Sequence, residues 1–222
     1  MNTVLLDNDV LFKTCIYGLL QDILSDTAEN ETKNFIILGA ACFIVHKKLK
    51  KRPPTRGAAQ ATIDFDACLS QIEKLEPTDD EIRIAAKLES AAKNNNLQLD
   101  EGESQLCAVL INRSANYIYT GDKRAIISIQ QLLNNYQVSD YIKHRIVCLE
   151  QLILRLTIIG QPDRIRDAIC AEAHIDRALS NCFSCCSQNT NVDSWREGLL
   201  SYIKDIQKNA QDILCSDFVR SP

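Results

Sequence analysis

Two hydrophobic rhythms alternate along the chain: short continuous apolar runs, and apolar residues spaced as on one face of a helix. The run "TVLLD" ends in an acid, and "VLFKTCIYGLLQDIL" then carries apolar residues at helical spacing from Val10 to Leu24, which predicts strand, acidic turn and helix. After the polar stretch "DTAENETKN", expected to be a loop, "FIILGAACFIVHKKLKK" passes from a strand-like run into a helix with a basic end. "RPPTRGAAQ", Arg52 to Gln60, joins consecutive prolines to glycine and small residues and predicts a connecting loop. "ATIDFDACLSQIEKL", with apolar Ile63, Phe65, Leu69 and Ile72, is open between a short strand entering a helix and helix throughout.

The second half repeats the alternation. "PTDDEIRIAAKLESAAKNNN" predicts a helix capped by Thr78 or Asp79, with acids in its first turn, Ile82, Ala85, Ala86 and Leu88 on one face, and an end at Asn94 to Asn96. "LDEGESQLCAVLINRSAN" predicts another, whose apolar face is Leu106, Cys107, Leu110 and Ile111. "YIYTGDKRAIISIQQLL" then reads as strand, tight turn at Thr120 to Asp122, and helix. "HRIVCLEQLILRLTIIG" supplies a last strand-like or helical run from Ile146, and the remainder is amphipathic helix interrupted by the polar "CSQNTNVD". Strands interleaved with helices imply an α/β fold, a parallel sheet covered on both faces, over residues 1–150, with an α-helical extension over 151–222. No internal repeat or low-complexity tract is visible.

Composition narrows this picture a little. At 222 residues and 45% hydrophobic, the chain can bury one ordinary core, so one domain plus an extension is expected. A formal charge of −4 means that any nucleic-acid contact must come from a local patch. The ten cysteines are scattered through apolar periodic segments, which suggests mostly reduced core thiols. "MNTVLLDNDVLF" lacks a positive leader and is interrupted by Asp7 and Asp9, so it does not read as a signal peptide, and no apolar run is long enough for a membrane span. A reducing cytoplasm is the expected location.

Open parallel sheets collect their functional groups at the carboxyl ends of strands. Asp7 ends the first predicted strand and Asp122 follows "YIYT", so neighbouring strands would aim both acids into one crevice, with a third from the helix that begins at Asp100. Such a cluster repels itself unless a cation binds, and hard oxygen ligands suit Mg²⁺ or Mn²⁺. "VLLDNDVLF", "LDEGESQLCAVL" and "YIYTGDKRAI", in this order and spacing, resemble the three motifs of PIN-domain nucleases, which include toxin-like ribonucleases. The resemblance covers residues 1 to about 150 and implies a three-layer α/β/α PIN-like fold. It implies Asp7, Glu103 and Asp122 as catalytic, metal-binding acids, Thr120 as a supporting residue and Asp9 as a further candidate ligand. The implied activity is hydrolysis of phosphodiester bonds in single-stranded or structured RNA, with DNA as the other candidate substrate, by a Mg²⁺- or Mn²⁺-dependent endoribonuclease. An antitoxin or other regulatory protein and a second copy of the chain are the further partners it suggests.

One departure from the family pattern is visible. Many members carry another glutamate in the helix after the second strand, where this chain reads "LGAACFIVHKKL". The missing acid would then come from elsewhere, such as Asp64 or Asp66, or the site would be impaired and the chain a PIN-like module that binds nucleic acid or protein without cutting. Three further features have two readings each. Asp100 and Glu103 are spaced as a capping box. The basic run with Lys47, Lys48, Lys50, Lys51, Arg52 and Arg56 is either a phosphate-binding surface or a solvated helix end. Cys170, His174, Cys182, Cys185 and Cys186 include spacings that suit zinc, without a second tight pair.

Overall fold

The computed structural model describes residues 2–26, 33–136, 140–187, 190–216 and 218. Strands β1 (Asn2–Leu6), β2 (Lys33–Leu38), β3 (Ile72–Leu75), β4 (Tyr117–Thr120) and β5 (Ile146–Cys148) form one five-stranded sheet in the order β3-β2-β1-β4-β5. Every pairing is parallel, so the chain is α/β. Between and after the strands lie α1 (Asn8–Tyr17), α2 (Leu20–Ser25), α3 (Gly39–Lys51), α4 (Ala58–Leu69), α5 (Asp79–Asn94), α6 (Glu101–Arg113) and α7 (Lys123–Tyr136). After β5 come α8 (Leu149–Ile159), α9 (Pro162–Ala171), α10 (Arg177–Cys182) and α11 (Val192–Asn209).

The path through the sheet explains the layering. From β1 to β3 the chain steps one way, and from β3 through β4 to β5 it steps the other way. Right-handed crossovers therefore put the first helices on one face and α5 to α7 on the opposite face. Accordingly α1 packs on α3 and α4, while α5 packs on α6 and α7. Val4, Leu5 and Leu6 are buried in succession, although alternate side chains leave opposite faces, so the sheet is covered on both sides.

Several local expectations need correction. The helical run from Val10 to Leu24 is two helices, because Gly18 ends α1 with φ 68°, a left-handed conformation natural to glycine. The Arg52 to Gln60 connection is shorter than expected, since Ala58 already begins α4. "ATIDFDACLSQIEKL" resolves into helix followed by strand, α4 then β3. The loop "DTAENETKN" falls largely on residues 27–32, outside the described ones, and its Lys33 and Asn34 open β2.

In α5 the inward face is set by Glu81, Ala85, Leu88 and Ala92, whereas Ile82 and Ala86 face solvent. The cause is a long-range ion pair. Glu81 has a fully buried side chain, caps α5 with Thr78, and receives Arg113 Nε at 2.7 Å and Nη2 at 2.9 Å together with Asn112 Nδ2 at 3.1 Å. These hydrogen bonds, led by that of Arg113, hold the Glu81 carboxyl down to about 2. The pair locks α5 to the end of α6, the helix that carries Glu103.

The expected boundary at residue 150 falls at the start of α8, and one continuous hydrophobic core runs from Val4 to Cys215. Leu214 bridges to Ile146 in parallel, and Ile146 N–H donates to Ile213 O at 3.0 Å, which covers the outer edge of β5. Arg155 of α8 reaches Asp26 at 2.5 Å, and Asp176 at the start of α10 reaches Lys13 of α1 at 2.8 Å. Among the described residues, no helix is long and apolar enough to cross a membrane.

Arg113→Ala is expected to lower the unfolding free energy by about 2 kcal/mol, less than a fully buried pair because Arg113 is partly exposed. The sign with pH follows from the depressed Glu81 carboxyl: its contribution is complete above the ordinary carboxylate range and is lost as pH falls toward 2. Urea midpoints of wild type and variant should therefore differ at pH 7 and converge toward pH 2. Equal midpoints at pH 7 would contradict this role.

Candidate functional site at the carboxyl ends of the strands

The site is built on the pairing of β1 with β4, in which Leu6 lies opposite Tyr119. Asp7 continues that ladder, its N–H donating to Tyr119 O at 3.0 Å, and then caps α1 by accepting from Asp9 N at 3.3 Å. The following residue of β4, Thr120, donates from Oγ1 to Asp7 Oδ2 at 3.1 Å and accepts from Asp122 N at 3.2 Å. One hydroxyl thus orients the first acid and the turn bearing the last. Asp122 starts α7, accepting from Arg124 N at 2.8 Å and Ala125 N at 3.3 Å, and its Oδ2 pairs with the Arg124 guanidinium at 3.0 Å.

The third acid arrives on α6. Asp100 and Glu103 form the capping box that their spacing suggests: Glu103 N donates to Asp100 Oδ1 and Asp100 N donates to Glu103 Oε2, both at 2.9 Å. Glu103 also lines the same cleft as Asp7 and Asp122, so the two readings of this stretch coexist in one residue. The cleft encloses about 610 Å³; Asp9, Asp100 and Glu101 join the three acids, and Ala40, Ala41, Ile44 and Lys48 of α3 form the facing wall. Behind Asp7 and Glu103 the wall is apolar, made by Leu106, Ile118 and Ile129.

That apolar backing governs the electrostatics. Asp7 is 5% exposed, and burial, then the charges of Asp9 and Asp100, push its carboxyl up to about 6 against the pull of its hydrogen bonds. Burial, then the charges of Asp100, Asp122 and Asp7, push Glu103 up to about 8. Asp122 behaves oppositely: burial would raise it, but the Arg124 hydrogen bonds and charge hold it below the usual range. Asp9 is matched by Lys13 at 2.7 Å, and Lys13 is held in turn by Asp176. A methyl group at Gly121 would overlap the Asp9 carboxylate, so a larger residue there would displace that carboxylate from its place beside Lys13. The cleft therefore carries more carboxylate than its cations offset.

The donor set is all oxygen, which fits a hard divalent cation such as Mg²⁺ or Mn²⁺. The side chains as they stand are not gathered on one ion: among the described residues, no group of three or more His, Cys, Asp or Glu is arranged to hold a metal. Each acid has its own partner instead, Thr120 for Asp7, Lys13 for Asp9, the Asp100 amide for Glu103 and Arg124 for Asp122. Glu103 bonds the cap through Oε2.

Other expected site residues divide. Lys48 lines the cleft, with its ammonium 5.7 Å above the Phe12 ring, whereas Lys47, Lys50, Lys51 and Arg52 are exposed outside the lining. Asp64 and Asp66 do not supply a further acid: Asp64 is bound by Arg56 in a separate pocket, and Asp66 contacts His46 at 2.8 Å. Their helix, α4, packs with α1 and α3, and neither acid lines the cleft that holds Asp122. The zinc reading of the late cysteines is corrected by a Cys170–Cys185 disulfide, which removes two of the five candidate ligands, while Cys182 is buried as a free thiol. The disulfide also departs from the reduced thiols expected there.

Sequence reasoning missed Arg124, which lines the cleft with Lys48; Lys13, which pairs with Asp9; and Glu150. Glu150 is the second residue of α8, two positions past the end of β5; it is 1% exposed, pairs with Lys123 at 2.7 Å and leaves Oε2 without a hydrogen bond. The available signal was an acid directly after the apolar run "IVCL". No family model matches the chain, and no curated protein or solved structure matches it either.

The raised carboxyls set a pH dependence. Folded Asp7 and Glu103 bind protons more tightly than ordinary carboxyls near pH 4, so the folded state holds more protons than the unfolded one and stability falls as pH rises through 6 to 8. Glu81, already ionised in both states above pH 5, does not tilt this window. Melting temperatures measured from pH 5 to pH 8.5 in chelator should decline, and Glu103→Gln should flatten the upper part of the decline. A wild-type profile that rises with pH would contradict the assignment.

Proposed function

We propose that the chain is a PIN-like, Mg²⁺- or Mn²⁺-dependent endoribonuclease. The observation that supports this best is the meeting of Asp7, Glu103 and Asp122, brought by three distant motifs, in one cleft at the ends of neighbouring parallel strands. Asp7, Glu103 and Asp122 would hold the ion, with Asp9 at the rim. A bound divalent ion supplies an activated water and neutralises charge on the scissile phosphate.

The protein's own groups have distinct tasks in this reading. Thr120 keeps Asp7 and the Asp122 turn in register through its two hydrogen bonds. Asp7 and Glu103, backed by apolar side chains and repelled by their neighbours, would ionise more readily with a cation to offset them, Glu103 above all. Arg124, which now grips Asp122, and Lys48 on the facing wall are the groups suited to phosphate oxygens; the planar guanidinium can exchange a carboxylate for a phosphate with the same fork. No side-chain nucleophile is needed.

A second reading, a PIN-like module that binds nucleic acid or protein without cutting it, is favoured by the wall of Ala40 and Ala41, which provides no acid. Cleavage of RNA in Mn²⁺ separates the two. Asp7→Asn and Asp122→Asn should each reduce the rate by more than about 100-fold, and Thr120→Val, acting through Asp7, by about 10- to 100-fold. Identical traces from wild type and Asp122→Asn would overturn the nuclease reading.

A further inference from the structure

Phe43 is 72% exposed, the most exposed large apolar side chain among the described residues. It lies on α3, whose Ala40, Ala41, Ile44 and Lys48 line the acidic cleft. At about 100° per residue, Lys47 and Phe43 fall about 70° and 110° from the centre of that cleft-lining stripe, on the outward flank of the helix. Lys50 lies about 20° from Phe43 on this flank, Lys51 lies about 35° from the stripe centre, between the flank and the cleft, both are exposed, and α3 contains no acid from Gly39 to Lys51. The Phe43 ring stands in water beside the lysines of its helix and outside the hydrophobic core, with the acids Asp66, held by His46, and Glu76, beside Gly39, reaching α3 from neighbouring segments.

We infer that Phe43 is a stacking platform for an unpaired base of single-stranded RNA, with Lys47 and Lys51 holding the flanking phosphates. The inference rests on the nuclease reading for its choice of ligand and names the form of substrate which that cleft accepts. A protein strand or helix seated on Phe43 would need acidic side chains to match the surrounding lysines, whereas a nucleic acid brings ring and charge together in each nucleotide. A duplex presents its phosphates to the lysines but keeps its bases stacked inside, out of reach of Phe43. The flank therefore selects single strands, and it would deliver the backbone to Lys48 at the wall of the cleft.

The test is equilibrium binding of a fluorescein-labelled single-stranded RNA of about 12 nucleotides to the full chain in EDTA, where no hydrolysis intervenes. Phe43→Ala and Phe43→Leu are expected to weaken binding by about 5- to 100-fold, while Phe43→Tyr and Phe43→Trp retain it. The Phe43→Trp protein should also show quenching of its exposed indole by the RNA, a readout distinct from the buried Trp195. Lys47→Ala and Lys51→Ala should each reduce the salt slope of log affinity by about 0.7. A duplex of the same sequence should bind more weakly and ignore Phe43→Ala. Equal affinity of wild type and Phe43→Ala, or no RNA binding by the wild type, would overturn the inference. Phe43-dependent binding without cleavage in Mn²⁺ would leave it standing and sink the nuclease reading alone.

Discussion

The parallel pairing of β1 with β4 is the constraint from which the rest of the site follows. Val4, Leu5 and Leu6 lie opposite Tyr117, Ile118 and Tyr119, and this register alone sets Asp7 against the Thr120 hydroxyl. Side chains alternate between faces along a strand, so a slip of one residue would turn Thr120 away from Asp7 and drive buried residues to the wrong side. Burial of both faces makes that slip costly. The Tyr119 ring, held edge-on by Phe35 at 6.4 Å and by Phe218 at 5.6 Å, packs the same register from the side.

The rest of the molecule supports a cluster that would otherwise push itself apart. Asp7 and Glu103 are backed by apolar groups and repelled by neighbouring acids, a local cost of the kind found at functional sites. Support comes from outside the cleft. Glu81 and Arg113 fasten α6 to α5, and Lys13, fixed by Asp176 of the C-terminal helices, holds Asp9 at the rim. The helices after β5 are thus joined to the site through α1, and the Cys170–Cys185 disulfide closes the segment in which Asp176 lies.

What could be read from sequence was local or periodic. The alternation of strand and helix, the acids after "VLL" and "YIYT", and the capping box at Asp100 and Glu103 are each set by residues within a few positions, and each is present in the structure. What escaped depends on partners far along the chain. Ile82 was expected inside because it is apolar, yet Glu81 takes the inward place because Arg113, 32 residues later, neutralises it. Asp64 and Asp66 looked available as ligands, but Arg56 and His46 bind them on α4. The disulfide is equally non-local, since spacing favours no particular pairing among ten cysteines.

The central claim is that Asp7, Glu103 and Asp122 form one cation site, and direct Mn²⁺ binding to the full chain tests it. Binding should be followed by electron paramagnetic resonance at pH 7, with proton release read by calorimetry in buffers of different ionisation enthalpy. The expected result is stoichiometric uptake of Mn²⁺ with release of protons, because the raised carboxyls must ionise to bind, and loss of uptake in both Asp7→Asn and Asp122→Asn. Absence of uptake by the wild type at millimolar Mn²⁺, or undiminished uptake by both variants, would contradict it.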